Sequence, residues 1–426
     1  MKQSYHLEAP QGLINDPNGL CEFQGFYHIF FQWNPKAKDH SYKCWGHYIS
    51  ADMINWEFCG KAIEPGETFD KFGTYSGSAC VVGEKLYIFY TGNNKIDGNR
   101  KSSQCLAISN DGKNFKKVGV ILTTPQGYTE HFRDPKVNFD GKIFQMVIGA
   151  QQSNGKGAVV YTESQDGKNW GAVKKIASSK NFEMIECPDF VEIDGEKILF
   201  YGLQKRDNAA DEVVSAESVY KFFTDSDLDF GAEKVDKGFD FYAPQTFQTS
   251  DGRKIMLAWM SRLSDAQERF LADDAPNIHC LTMPREIFLS NKKLFQKPAR
   301  EMYKMLGEKI SATCNIPRKF FCKIEKNLTG RNFSVELNDE IKICWTAEKI
   351  FKLRRKDITS GNFEERICAL NELQEIEIWS DNSSVEIFLN GGEVAMSART
   401  FPEENFFEIK LIGDLSAENL NVQKIF

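Results

Sequence analysis

The sequence predicts an all-β protein, a five-bladed β-propeller followed by a C-terminal β-sandwich. Three observations predict it. A short template recurs at a near-constant interval, a Gly-led β-rich run recurs alongside it, and both stop before the last third of the chain. The length of 426 residues is more than one core usually serves, which favours two domains.

The template is Ser or Thr, then Asp two residues later, then an aromatic six residues later. Its copies are "SADMINW" (Ser50 to Trp56), "SNDGKNF" (Ser109 to Phe115), "SQDGKNW" (Ser164 to Trp170) and "TDSDLDF" (Thr224 to Phe230). They start 59, 55 and 60 residues apart, and the fourth carries Ser226 in place of the Asp. The second echo is a run of branched and aromatic residues opened by Gly25, Gly83, Gly141, Gly195 and Gly252, spaced 58, 58, 54 and 57 residues apart. Helical periodicity is weak, and turn residues bound each run. Five units with about four short strands each read as five blades.

Ahead of each Gly lies the first strand of a blade, and such strands line the central channel. The five starts are "NDPNGLCEF", "YSGSACVV", "RDPKVNF", "ECPDFVEI" and "DFYAPQTF". By itself "NDPNG" would be a turn, because Asn, Asp, Pro and Gly are turn formers. The repeat instead makes it the entry to an inner strand. Asp16, Asp134 and Glu186 fall at equivalent starts and are expected to converge at one mouth of the channel. The repeat fills 1–294, "FQKPAREM" opens a linker over 295–305, and 306–426 holds alternating strands. In that tail Asn390-Gly391-Gly392 is a hairpin signal, and strands of this type suggest a sandwich.

Composition excludes several classes. A net charge of −7 gives no electrostatic footprint for nucleic acid or an anionic membrane. No apolar run is long enough to span a bilayer, and the N-terminal residues have no apolar signal core. The 11 cysteines are an odd number without a CxxC, which favours free thiols and a cytoplasmic location. The six His are dispersed without ligand spacing, so no metal or cofactor is expected. Homo-oligomerisation stays open.

Nine ordered motifs then carry a resemblance. "YHLEAPQGLINDPNG", "FFQWNP", "CWGHYISADMINW", "YSGSA", "FRDPKV", "ECPDF", "GFDFYAPQTF", "LAWM" and "LTMPREIFL" span residues 5 to 289. Together they resemble the invertase and β-fructofuranosidase group, glycoside hydrolase family 32. The tail "SSVEIFLNGGEVAMSARTF" is similar to that family's C-terminal sandwich. The family's fold is a five-bladed propeller and a β-sandwich, in agreement with the repeat count.

The resemblance implies a retaining glycosidase, which needs a nucleophilic carboxylate and an acid/base carboxyl about 5 Å apart. It makes Asp16 the nucleophile, Glu186 the acid/base and Asp134 the stabiliser of the transition state. Glu186 is expected to have a raised pKa, from burial beside Asp16. Arg133 is expected to contact Glu186 or a sugar hydroxyl. The implied binding shell is Asn15, Gln32, Tyr75, Ser76 and Asp240, with Trp45 and Trp259 as stacking faces. The loop "KAKDHSYKC" departs from the invertase pattern. His40 stands about where many invertases carry Trp, and His40 with Lys43 resembles the loop of bacterial sucrose-6-phosphate hydrolases. Lys43 is then a point charge for a phosphate; the other reading is a solvated loop lysine. The implied substrates are sucrose 6-phosphate, sucrose or short fructans. A fructan hydrolase or fructosyltransferase, and a non-catalytic sugar-binding propeller, are the alternatives.

Overall fold

The structure is a computed structural model and describes residues 2–207, 212–261, 263–312, 315–325 and 328–426. The chain divides into two compact units. One comprises Ala9–Val235 and Tyr242–Trp259; the other comprises Met1–Glu8, Asp236–Phe241 and Met260–Phe426. Residues 260–294, which the repeat groups with the first domain, thus fall by compactness in the second unit.

The first unit is built of antiparallel sheets in chain order. Strands β1 (Gly12–Phe23), β2 (Phe26–Asn34), β3 (Cys44–Ser50) and β4 (Glu57–Ile63) pair successively. Strands β5 (Gly73–Val82), β6 (Lys85–Ile96), β7 (Asn99–Ser109) and β8 (Lys116–Thr123) form the next sheet. Then follow β9 (Tyr128–Phe139), β10 (Phe144–Gln152), β11 (Gly157–Ser164) and β12 (Lys174–Ser178). The fourth sheet is β13 (Met184–Ile193), β14 (Glu196–Asp207), β15 (Glu212–Phe222) and β16 (Glu233–Lys234). A hairpin of β17 (Tyr242–Gln248) and β18 (Lys254–Trp259) completes the unit.

The Ser/Thr-x-Asp template is a bonded turn. Asp52, Asp111 and Asp166 each accept two backbone N–H groups through Oδ1, and the Asn three residues on donates to Oδ2. Such a side-chain-closed turn fixes the hairpin exit without help from the core. The following aromatic packs inward, as Phe115 does on Phe30 and Trp170 on Phe89.

The first strands neighbour one another in the order β1, β5, β9, β13, β17, and β17 returns to β1. Side chains stitch the ring. Lys136 Nζ on β9 lies 2.8 Å from Asp189 on β13, whose carboxylate also accepts from Thr246 N and Oγ1 on β17. Gln245 on β17 donates to Gly77 O on β5 and accepts from Leu20 N on β1. This charge pair is buried, so both partners need these extra hydrogen bonds to offset desolvation.

Among its described residues the second unit holds one α-helix, α1 (Asp265–Asp274), started by a reciprocal capping pair between Ser264 and Gln267. Its body is a sandwich. A six-stranded sheet runs in the order Leu306–Ile310, Leu420–Ile425, Phe320–Glu325, Glu375–Asp381, Ser384–Leu389, Val394–Arg399. A five-stranded sheet runs Phe363–Ala369, Ile350–Lys356, Ile341–Trp345, Phe333–Leu337, Ile409–Gly413. Alternate residues such as Val335, Ile343, Leu353, Ile378, Ile387 and Met396 meet in one core. Among the described residues no helix is long and apolar enough to cross a membrane.

Candidate active site

The first strands break register at the same level. The ladder skips between Ile14 and Pro17 on β1, Tyr75 and Gly77 on β5, Glu186 and Asp189 on β13, and Tyr242 and Gln245 on β17; opposite β9 the break lies between Val147 and Gly149. These are β-bulges, which re-aim side chains and cluster beside active sites. Arg133-Asp134-Pro135, Glu186-Cys187-Pro188 and Tyr242-Ala243-Pro244 superpose in sequence on their prolines. The middle residue of each has positive φ, 65° at Asp134, 44° at Cys187 and 50° at Ala243. Pro removes the ladder donor, which an edge strand tolerates, and the left-handed residue before it stores local strain. Gly77 is required at its bulge, because a Cβ there would lie 2.0 Å from Phe89 O.

The bulges bring Asp16, Asp134 and Glu186 together. Cys187 Sγ lies 3.7 Å from Asp16 Oδ2 and 3.6 Å from Asp134 Oδ2, and Cys187 N donates to Asp134 Oδ2 at 3.1 Å. Ser76 Oγ donates to Asp16 Oδ2 at 2.7 Å. Asp134 N donates to Thr91 Oγ1 at 3.0 Å. Glu186 Oε1 accepts from Arg133 Nε at 3.1 Å and Nη2 at 2.6 Å; Oε2 accepts from Tyr242 Oη at 2.8 Å and from Gln204 Nε2. Of the two partners expected for Arg133, it takes Glu186.

Three carboxyls set the protonation, with Arg133 beside Asp134 and Glu186 and Lys43 acting on Asp16. Burial pushes Asp134 up to about 7; Arg133 opposes this, while Glu186 and Asp16 add to it. Burial also raises Asp16, against the Ser76 hydrogen bond and with Glu186. For Glu186 burial is outweighed by the Arg133 charge and by hydrogen bonds from Arg133 and Tyr242, so its carboxyl lies below the ordinary range. This corrects the expectation of a raised Glu186. The trio still holds a proton near neutrality, but in the free site it rests on Asp134, where burial and the charges of Glu186 and Asp16 outweigh Arg133.

The expected binding shell divides. Asn15 Oδ1 accepts from Lys43 Nζ at 2.5 Å, and His40 Nδ1 lies 2.8 Å from the same Nζ. Lys43 is 9% exposed, so it is not a solvated loop lysine. Trp259 stands edge-on to both His40 and Tyr242, at 6.0 and 6.4 Å. Gln32 is buried and gives its Nε2 to Thr74 O. Tyr75 is half-buried and its hydroxyl accepts from Asn93 Nδ2.

Two expectations are corrected. Trp45 is fully buried with Phe30, Ile88 and Tyr90 and donates Nε1 to Tyr75 O, so its faces serve the core between two sheets. Asp240 is fully buried, and its carboxylate accepts from Arg355 Nη1 and Arg399 N within the second unit. It is an internal counter-charge there.

Sequence reasoning missed Cys187, Tyr242 and Gln204. The shared X-Y-Pro register signals the first two, since Cys187 aligns with Asp134 and Tyr242 with Glu186. Gln204 has no local signal: it arrives on β14, paired opposite Met184. A cavity of about 860 Å³ at the other ends of the same strands, lined by Leu20, Phe23, Lys136, Phe190 and Lys254 among others, contains none of the three acids. Among the described residues no group of three or more His, Cys, Asp or Glu is arranged to hold a metal ion.

The chain is similar to known proteins along most of its length. The model for the glycosyl hydrolases family 32 N-terminal domain matches residues 6–298, and the model for the family 32 C terminal matches residues 334–424. A sucrose-6-phosphate hydrolase of Bacillus subtilis (strain 168) is 37% identical, over 94% of this chain and 89% of its own. One of Klebsiella pneumoniae is 36% identical, over 93% and 88%. Among solved structures, a sucrose-6-phosphate hydrolase from Lactobacillus gasseri superposes with a TM-score of 0.85 at 24% identity, covering 100% of this chain and 93% of that one. A Bombyx mori family 32 β-fructofuranosidase solved with sucrose gives 0.84 at 25%, with the same coverage.

Proposed function

The chain belongs to glycosyl hydrolases family 32, and we propose that it is a retaining β-fructofuranosidase acting on sucrose 6-phosphate, and less well on sucrose. The observation that carries the substrate is the set of sucrose-6-phosphate hydrolases at 35–37% identity over more than nine tenths of the chain. The closed ring of first strands supports five propeller blades over 1–294. The N-terminal family model ends at residue 298 and the C-terminal one covers 334–424, which supports two domains. The linker is read at 295–305 and the sandwich over 306–426, although Lys293–Pro298 is a strand paired with Arg285–Ser290. The ten described cysteines are all free, which supports a reducing, cytoplasmic setting.

The chemistry follows from the trio. The Asp16 carboxylate attacks the fructosyl anomeric carbon. The bond to the leaving oxygen breaks, and that oxygen takes its electron pair and a proton from Glu186. In the second step Glu186 removes a proton from water, which attacks the same carbon and frees Asp16. Glu186 must therefore be protonated in the complex. Sugar hydroxyls that donate to Asp134 favour its ionised form, and exclusion of water disfavours a charged Glu186. Substrate binding thus moves the trio's proton from Asp134 to Glu186. Asp134 then holds negative charge near the oxocarbenium.

A substrate panel tests this. Sucrose 6-phosphate, sucrose, raffinose, inulin and levan are offered, and glucose, glucose 6-phosphate and fructose are quantified. The expected result is highest kcat/KM on sucrose 6-phosphate with stoichiometric fructose. Preference for inulin or levan, or fructose transferred rather than released, would replace this reading by a fructan hydrolase or a transferase.

A further inference from the structure

The hydrogen bonds that converge on the Glu186 carboxylate differ in whether they can be reversed. Arg133 gives Nε and Nη2 to Oε1, at 3.1 and 2.6 Å. Gln204 gives Nε2 to Oε2, and Tyr242 gives Oη to the same oxygen at 2.8 Å. A guanidinium only donates, so Oε1 faces fixed donors. The Gln204 amide is fixed as well. Arg206 Nη1 donates to Gln204 Oε1 at 3.1 Å, so the amide oxygen must face that guanidinium and the NH2 group must face Glu186. A tyrosine hydroxyl both donates and accepts, and its hydrogen rotates. Of these donors, Tyr242 alone can turn.

The strand pairing makes room for this hydroxyl. Gly202 on β14 lies opposite Glu186 on β13, and a Cβ there would stand 2.6 Å from Tyr242 Oη. Tyr242 itself is buried and packs with Ala243 and Trp259, so the ring is held while its hydrogen is free to rotate. The reaction asks more of Glu186 than fixed donors allow, because it must give up a proton and then take one back. Each carboxylate oxygen has two lone pairs. Those on Oε1 are engaged by Arg133, and those on Oε2 by Gln204 and Tyr242. A proton binds only where a donor withdraws.

We infer that the proton of the acid sits on Glu186 Oε2 and that Tyr242 is the positioning residue that controls it. The hydroxyl turns its hydrogen away while Oε2 is protonated and donates again as the carboxylate reappears. This rests on the reading of Glu186 as the acid/base. In the first step the proton passes from Oε2 to the leaving oxygen, which also takes the electron pair of the broken bond; the Tyr242 proton stays on Tyr242. The renewed donation stabilises negative charge where it develops. In the second step the hydroxyl turns away again as Oε2 receives a proton from water. The charged groups that face Glu186 are Arg133 and Asp134 on β9, Asp16 on β1 and Arg206 on β14. His131 lies behind Arg133, 2.9 Å from its Nη1.

The test measures kcat, KM and their pH profiles for the wild type, Tyr242→Phe, Gly202→Ala, the double variant and Glu186→Gln. The substrates are sucrose 6-phosphate and a fructoside with an activated leaving group. Loss of one hydrogen bond to a charged group corresponds to ~10- to 100-fold. Tyr242→Phe keeps the packed ring and is expected to lose about that factor in kcat on sucrose 6-phosphate, with KM little changed. Its kcat/KM on the activated fructoside should change little, since that first step needs no proton. The donation favours the ionised carboxylate, so its removal should move the basic limb of kcat to higher pH. Gly202→Ala should show the same pattern by displacing the hydroxyl, and should add little in the Tyr242→Phe background, because both act through one contact. A basic limb that stays in place, equal losses on both substrates, or a loss confined to KM in Tyr242→Phe would overturn the assignment and leave the hydrolase reading intact. Equal losses on both substrates in Glu186→Gln would overturn the acid/base reading itself.

Discussion

At Asp134 a backbone angle and a proline decide what faces the site. The left-handed residue turns its side chain into the bulge, and the next residue cannot rejoin the ladder as a donor. Asp16, Asp134 and Glu186 could be read from sequence because Pro follows each closely and recurs with the repeat. Gln204 could not, because its place depends on the register of a partner strand. The roles proposed for the acids make distinct demands. Asp16→Asn should fold and retain less than a few per cent of turnover, since an amide is a poor nucleophile. Glu186→Gln should lose most activity on sucrose but much less on a fructoside with an activated leaving group, which needs no proton in the first step. Steady-state rates on the two substrates separate these outcomes, and equal loss by Glu186→Gln on both would remove Glu186 from the acid role.

The strand pairings explain why one aromatic was read as a ligand and belongs to the core. Trp45 on β3 pairs opposite Gln32 on β2 and Ile63 on β4. Composition cannot distinguish a Trp that stacks on sugar from one that fills a gap between sheets. The distinction is which face of β3 meets the neighbouring sheet, and there Phe30, Ile88 and Tyr90 surround the ring. The repeat itself was legible because its turn is closed by local bonds from Asp52, Asp111 and Asp166, which need no tertiary context. Trp45→Ala should therefore cost about 3–5 kcal/mol of stability, with KM for sucrose little changed in the protein that remains folded. Urea denaturation and initial rates on the same sample check this. A large rise in KM with an unchanged midpoint would return Trp45 to the binding shell.

Across the whole molecule, the two compact units carry different pH signatures. The sandwich with its hairpin ends was visible as alternation, whereas its buried charges were not, because their partners lie far apart in sequence. His6 bonds Asp381 through Nδ1 at 3.0 Å and Glu386 through Nε2 at 2.8 Å, while Arg285 bridges Glu386 and Asp236. Burial lowers the His6 pKa, but its two carboxylate partners more than offset this and raise it from 6.5 to about 9. The folded state thus holds a proton that the unfolded chain releases. That contribution is complete below pH 6.5 and is lost as pH rises through about 9, a change of roughly 3 kcal/mol. Asp134, raised from 3.8 to about 7, has the same sign in an earlier window: its contribution is complete below pH 3.8 and gone above about 7. Chemical denaturation across the pH range should then show wild-type stability falling between pH 6.5 and 9. His6→Gln should flatten that fall. Asp134→Asn should leave it in place and remove a decline below pH 7, since Asn tolerates the left-handed backbone and has no proton to release. Activity should respond in the Asp134 window instead, because kcat/KM reports the free enzyme's groups and the trio's proton is needed on the leaving oxygen. The basic limb of kcat/KM is thus expected near pH 7, about two pH units before the loss of stability is complete. If His6→Gln retains the wild-type slope between pH 6.5 and 9, His6 does not hold the proton assigned to it. If the basic limb of activity instead coincides with unfolding near pH 9, the trio does not hold its proton as described.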